Sequence, residues 1–433
     1  MIPPMWRLNV SELHTDSPVT ALPERARLLH IGLPKTGTTA LQAAASRSRP
    51  LLLDHGVRYP GKNYNHRFES SGLLGRRFGS SELGGGKEPR REQWDEMMAE
   101  IEADTSRRIF VSHEMISEAN DERAKLYATE FGDRTHVVIT LRGLGAMLPS
   151  IWQQFIKSGM RADFDWWLTH VLDNPPRTQM TPSFYLRNDQ AGVVRRWASE
   201  VGADNVTVVI LDKNQPNLLF DAFEGMLGLP PGLLRNVETG EFRQNRSLSA
   251  EEAFLVMEFN RRAHESGMTW LEYQRLLRRG AVERILELSN AAESGTKLIL
   301  PEWAAERARE LGRSYAASIA DSGVRVLGDL AELSAEVPTR GDEFLRVPVI
   351  PADTAAEALA GMASAALWRG SNFGEAKVPL SEVEKTVARQ SERLDSADPG
   401  VRRKAVARQA KDITTADLSR LLLSRLKRKV GLK

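Results

Sequence analysis

HIGLPKTGTTALQ, residues His30 to Gln42, decides the fold. The run before and into it, RLLHIGL (27–33), is short, apolar and closed by Gly and Pro, which reads as a buried strand. From Thr38 onward TTALQAAASRS is rich in Ala and other good helix formers. The loop therefore joins a strand to a helix N-terminus, where unsatisfied backbone N–H groups attract anions. Gly32 and Gly37 have the spacing of the common nucleoside-triphosphate loop, but that loop continues with Lys and Ser/Thr. Here Thr38 and Thr39 follow Gly37, and the lysine sits earlier, at Lys35, next to Thr36. Gly37 lets the backbone approach a phosphate, the threonines add donors, and Lys35 can neutralise an oxygen as it leaves. Such a loop suits a leaving phosphate stabilised by protein cations, so no metal is expected.

Working outward, RRIFVSHE (107–114), RTHVVITLR (134–142) and NVTVVILD (205–212) read as further strands. The near-continuous apolar middle of 134–142 suits a strand covered on both faces. Helices are expected between them, at 91–103, from Pro149 in a first turn through PSIWQQFIKSG, and at 193–202 with Gly202 closing the helix. Strands alternating with helices predict an α/β fold, with a central parallel sheet flanked by helices in three layers and ligand at the strand C-termini. After residue 213 the pattern turns to amphipathic helices, one opened by a capping box at Ser249–Glu252, and strands are expected to stop.

The 433 residues suggest more than one unit. The expected organisation is a tail (1–25), an α/β domain (26–335), a Pro/Gly-punctuated linker with one helix (336–380) and a basic helical C-terminal segment (381–433). The net charge of +2 makes no case for nucleic acid. Residues 401–433 nevertheless hold eleven Lys/Arg against two Asp, which offers a solvated face or a docking strip for an acidic partner or membrane surface. The chain has no cysteine, which excludes disulfides, thiolate metal sites and a Cys nucleophile. No signal-like apolar region and no run near membrane-spanning length is present, so a cytoplasmic protein is expected.

PKTGTT after a strand resembles the 5′-phosphosulfate loop of sulfotransferases that use 3′-phosphoadenosine 5′-phosphosulfate (PAPS). Those enzymes hold the 3′-phosphate with an Arg ending a later strand and a Ser eight residues on. TLRGLGAMLPSIWQQF supplies Arg142 and Ser150 at that spacing. The likeness to the bacterial branch of the family extends over residues 27–335, including VVRRWASEVGADNVTVVILD and LPEWAAERARELGRSYAASIADSGVRVLGDL. It implies a P-loop-like fold and an enzyme moving a sulfuryl group from PAPS to a hydroxyl or amine, leaving adenosine 3′,5′-bisphosphate (PAP). Lys35, Thr36, Gly37, Thr38, Thr39, Arg142 and Ser150 would bind the nucleotide. FRQNRS lacks the RKG triplet of the cytosolic members, leaving Arg243 and Arg246 as rivals for the 3′-phosphate.

The catalytic base is expected where RRIFVSHE ends. Ser112-His113 matches the Thr-His of cytosolic members, whereas bacterial relatives end in Ser-Ser-Glu, matching Glu114. His113 needs no shift to work near neutrality, and Glu114 would need desolvation to raise it. Loops at 60–90, 114–130 and 160–190 carry Arg, His, Trp and Asp and would wall in a carbohydrate, glycolipid or other polar acceptor. The competing reading is a non-catalytic or kinase-like nucleotide-binding protein that keeps the loop. No Mg²⁺-holding Ser/Thr in register and no DFG-type motif supports a kinase.

Overall fold

The structure, a computed structural model, describes residues 19–75, 88–172, 184–237, 246–288, 295–343, 345 and 349–367. Arg243, residues 76–87 and 173–183 of the expected acceptor loops, and the basic segment 381–433 lie outside them. The eight strands among the described residues are β1 (Arg27–His30), β2 (Val57–Arg58), β3 (Arg108–Ser112), β4 (Thr135–Leu141), β5 (Val206–Ile210), β6 (Leu300–Pro301), β7 (Arg325–Leu327) and β8 (Thr339–Arg340). Six form one sheet in the order β2-β3-β1-β4-β5-β7, and every pairing in it is parallel. β6 and β8 make a separate parallel pair. The expected α/β class with a central parallel sheet between helices is observed.

The strand side chains explain the layers. Leu29, Val111, Val137 and Val208 face a large core that includes α4 (Arg91–Ala103), α5 (Asp121–Phe131) and the helix Gln190–Val201. Their neighbours Leu28, Phe110, Val138 and Val209 face a smaller core with α1 (Thr38–Arg47), α2 (Arg49–Asp54) and the helix Leu218–Leu227. Alternation along each strand thus supplies both faces with apolar surface. The buried Ala43, Ala44 and Ala45 keep α1 slim where it lies against the sheet.

Strands do not stop at residue 213. β7 extends the sheet beside β5, in a stretch whose sequence looks like the tail of a long helix. VRVL is bounded by Gly323 and Gly328, both with positive φ, and three residues are too few to establish a period. β2 was hidden for the same reason. The helix expected from Pro149 starts earlier: α6 spans Leu144–Ile156, with Pro149 inside it. Ser150 is consequently in the second turn and not at the dipole-bearing first. Gly202 and the Ser249–Glu252 capping box appear as expected.

The C-terminal helices close over the strand ends. Gln153 on α6 exchanges two hydrogen bonds with the Leu248 main chain, at 3.0 and 2.9 Å. The buried Asn260 donates to the carbonyls of Ile156 and Met160 at 2.7 and 2.8 Å. The helix Ala352–Leu367 packs on the wide-turned π-helical segment Gln274–Val282, where Gly280 and Gly361 meet backbone to backbone. Gly312, in the helix Glu302–Ala320, meets the Leu333 segment as closely: a Cβ there would lie 2.1 Å from the Leu333 carbonyl oxygen. Because a backbone atom cannot swing away, Gly312→Ala should destabilise the fold by about 1–3 kcal/mol. Urea unfolding should show a lower midpoint at unchanged slope.

Candidate functional site

The loop after β1 is held by the sheet beneath it. Leu33 N–H donates to Thr140 O at 2.8 Å, and Thr140 N–H donates to Gly32 O at 2.7 Å. Gly32, Lys35 and Gly37 all have left-handed φ, of 90°, 72° and 76°. Glycine accepts such a conformation freely, but a lysine adopts it at a cost of about 1 kcal/mol. The turn thereby aims Lys35 outward and leaves it exposed at the C-terminal edge of the sheet. Thr36 turns the other way. Its buried hydroxyl donates to Leu33 O at 2.5 Å and meets Thr140 Oγ1 at 2.6 Å, so this side chain builds the loop from inside. Thr38 and Thr39 open α1, whose N-cap, Gly37, has no capping side chain and whose first turn has no acid. The N-terminal N–H groups of that helix thus retain their affinity for an anion.

Sheet order decides what surrounds Lys35. β1 lies between β3 and β4, so the chain after β3 is on one side and the chain after β4 on the other. Glu114 follows β3 and touches the loop: a Cβ on Gly32 would lie 2.7 Å from Glu114 Cα. Arg142 follows β4, is exposed, and has its main-chain carbonyl held by Gln190 Nε2 at 2.8 Å. Lys35, Glu114 and Arg142 are therefore gathered at one edge. Ser150 lies farther along α6, with its hydroxyl bonded to Met147 O at 3.0 Å.

Glu114 and His113 part company at the end of β3. His113 is 2% exposed and its Nδ1 is 2.6 Å from Ser70 Oγ on α3 (Arg67–Leu74), within the larger core's layer. Glu114 begins a 3₁₀ turn and accepts from Gln42 Nε2 at 2.9 Å. Burial on its own raises the Glu114 carboxyl, as expected, but the neighbouring His113 and the Gln42 hydrogen bond outweigh it, and the net shift is downward. Lys35 is reachable by solvent yet walled by protein. That partial burial, and then the charge of Arg187, lower its pKa, while Glu114 opposes the shift. Arg187 is buried, ion-paired to Glu118, and pushed down to about 10 by burial.

Sequence reading missed a polar belt under the loop. Ser112, His30 and Thr140 come from the adjacent strands β3, β1 and β4, on the face covered by α1. Gln42 Nε2 donates to Ser112 Oγ at 3.1 Å, Ser112 Oγ meets His30 Nδ1 at 2.8 Å, and His30 Nε2 meets Thr140 Oγ1 at 3.2 Å. Asn65 donates to Gln42 Oε1 at 3.2 Å. The directions are fixed at both ends. Thr36 spends its proton on the Leu33 carbonyl, so Thr140 donates to Thr36, His30 Nε2–H donates to Thr140, and Ser112 donates to His30 Nδ1. An unbroken chain thus links the loop carbonyl to Glu114. A polar residue on one face of each buried strand's last turn was the signal available. His66 is likewise structural: it accepts from Ser112 N–H at 3.0 Å and reaches Pro60 O at 3.0 Å.

Arg246 is committed elsewhere. It grips Glu252 through two nitrogens at 2.7 and 2.8 Å and donates to the carbonyls of Leu286, Ile285 and Ser247. Its fork has no donor left for a phosphate. No family model matches the chain, and neither does any curated protein or solved structure.

His30, His66 and His136 are buried and lowered by burial to about 3, 4 and 4. Each folded pKa lies below the unfolded value near 6.5, so the unfolded chain binds more protons and stability falls as pH drops below about 6.5. By pH ~4.5 each histidine should cost roughly 2 kcal/mol. Urea midpoints between those pH values should fall, with a flatter slope for His136→Gln. A midpoint independent of pH would contradict the assignment.

Proposed function

We propose that the protein is a sulfotransferase that moves a sulfuryl group from PAPS to a hydroxyl of a carbohydrate, glycolipid or other polar acceptor. The observation that carries this reading is the placement of Lys35 and Glu114 after neighbouring strands, with Gly32, at the start of the loop that bears Lys35, packed against the Glu114 backbone. A cation on the turn and a carboxylate beside it suit a reaction that loses a phosphate and needs a proton removed. The donor set fits PAPS: an uncapped helix N-terminus, Lys35, Thr38 and Thr39 for the 5′ end, and Arg142 across β4 for the 3′-phosphate. Thr36 would contribute through its main chain, Arg246 is occupied by Glu252, and Ser150 would add a hydroxyl from the second turn of α6.

When bound, PAPS supplies the sulfuryl group and its leaving group: the acceptor oxygen forms the new S–O bond as the bond to the 5′-phosphate oxygen breaks and PAP keeps the electron pair. Glu114 takes the acceptor proton. Its lowered pKa makes it a weak base in the free protein, and an anion in the loop would raise it by offsetting Lys35 and Arg187. Lys35 and the loop N–H groups stabilise the charge that grows on the leaving oxygen. Gln42 holds the carboxylate in place through its amide. His113, fixed to Ser70 in the interior, serves structure on this reading. The protein's own cations do the work a metal does in kinases, and cytoplasmic PAPS would be the donor pool.

Calorimetry should show PAP binding far better than 5′-AMP, and Arg142→Ala should weaken PAP by about 10–100-fold, the range for one charge-assisted partner. Equal affinity for PAP and 5′-AMP would point instead to a nucleotide-binding protein of another kind. In single-turnover transfer, Glu114→Gln should be slower by about 10²–10⁴-fold while PAP binding persists. EDTA should leave turnover unchanged, and rescue of a lost rate by Mg²⁺ would overturn the metal-free mechanism.

A further inference from the structure

The Glu114 carboxylate is held by an amide that is itself held by a second amide. Glu114 Oε2 accepts from Gln42 Nε2 at 2.9 Å, and the other hydrogen of that nitrogen goes to Ser112 Oγ at 3.1 Å. Gln42 is fully buried, and its remaining polar atom, Oε1, accepts from Asn65 Nδ2 at 3.2 Å. Asn65 is buried too, and its Oδ1 accepts the Arg67 main-chain N–H at 3.3 Å. These contacts orient both amides. Turned over, Gln42 would set Oε1 against a carboxylate oxygen, and against a hydroxyl whose proton is already committed to His30. Turned over, Asn65 would set an oxygen against Gln42 Oε1 and an NH2 group against the Arg67 N–H.

Asn65 stands on a braced segment. Arg49 donates to the carbonyls of Tyr59, at 3.1 Å, and of Asn63. Tyr59 OH donates to Tyr64 O, Gly61 N–H to Glu100 Oε2 and Asn63 Nδ2 to Glu69 Oε1, each at 2.9 Å. His66, which ends the segment, is tied to Pro60 O at 3.0 Å and to the Ser112 N–H at 3.0 Å. Residues 59–66 therefore have little freedom of their own, and Asn65 carries their position through one side chain to the carboxylate. The stretch expected to wall in the acceptor begins within this segment.

Resting on the sulfotransferase reading, we propose that Asn65 is a positioning residue for the Glu114 base, so that the acceptor-side segment 59–66 and the base form one unit. Asn65 acts through Gln42 and not on substrate. A hydrogen bond accepted at an amide oxygen makes the same amide's N–H a stronger donor, so each bond of the series reinforces the next. Without Asn65, Gln42 Oε1 is buried and unpaired, its amide plane loses one of three anchors, and the bond to Glu114 weakens. A carboxylate with a weaker donor takes a proton more readily. The other titratable groups facing Glu114 are His113 beside it, His30 on β1, Lys35 on the loop, Arg187, and Tyr59 and Tyr64 of the segment itself. All of them remain when Asn65 is replaced.

The full-length protein, isotope-labelled at its glutamate carboxyls, is titrated by NMR, and the Glu114 signal is identified by its loss in Glu114→Gln. Gln42→Met should raise the pH at which Glu114 titrates, and Asn65→Leu should raise it by a smaller amount. In the Gln42→Met background Asn65→Leu should add nothing, because its route to the carboxylate is gone. Asn65→Ala, which removes the same donor without filling its place, should move the titration in the same direction and serves if the Leu variant does not fold. A Glu114 titration unchanged by both Asn65 variants, or moved as far when Gln42 is already Met, would overturn the proposal. Calorimetry on the same variants should show PAP affinity within about threefold of the wild type, as for a site apart from the nucleotide. Absence of PAP binding to the wild type would retire the sulfotransferase reading, and with it the role of Glu114 as base, while the NMR titration would still decide whether Asn65 acts on Glu114 through Gln42.

Discussion

The site depends on one continuous line of hydrogen bonds, from the Leu33 carbonyl through Thr36, Thr140, His30, Ser112 and Gln42 to Glu114. It crosses three strands and ends on the first helix, so it ties the phosphate-loop backbone and the carboxylate to one sheet. Thr36, Thr140, His30, Ser112 and Gln42 are buried, and each hydroxyl or ring nitrogen among them has a partner. A buried polar group left unpaired costs about 1–3 kcal/mol, which makes the line cooperative: breaking one link strands its neighbours. Burial keeps His30 neutral, and a neutral ring is the form that can accept at Nδ1 and donate at Nε2 together.

This belt explains how a strained turn can persist. Lys35 occupies a left-handed conformation that lysine does not favour. The flanking residues are held by Thr140 on both main-chain groups, and Thr36 is locked inward. The local cost of the turn is small beside the bonds on either side of it. What results is a cation directed outward at the strand ends, next to helix N–H groups that no side chain caps.

Electrostatics then divides the edge into two regions. On the β4 side stands Arg142, exposed and free to meet a phosphate. On the β3 side the Glu114 carboxylate lies in the electrostatic reach of Lys35 and of the buried Arg187. The helices beyond residue 246 brace the far end of α6, where Asn260 donates to the carbonyls of Ile156 and Met160. The C-terminal helices therefore hold in place the helix that follows β4.

Much of this was legible in the chain. The buried strands, the parallel sheet and the turn carrying Lys35 follow from apolar runs, helix formers and glycines, all local signals. The candidate carboxylate at the end of β3 was legible too, but not the choice between His113 and Glu114. Neighbouring residues on a strand face opposite ways, and only packing shows that one side is Ser70 in the interior and the other is Gln42 at the loop. The short strands β2 and β7 were invisible because two or three residues carry no period. The early start of α6 was hidden because Pro149 marks a first turn only statistically. Arg246 stood beside Arg243 as a rival for the 3′-phosphate, and its fork is taken up by Glu252, a contact that no periodicity in the sequence announces. The chain by itself determined the fold class and the loop, whose causes are short-range. Tertiary structure decided which charges meet, because that depends on residues far apart in the chain, such as Lys35 with Glu114 and Arg187.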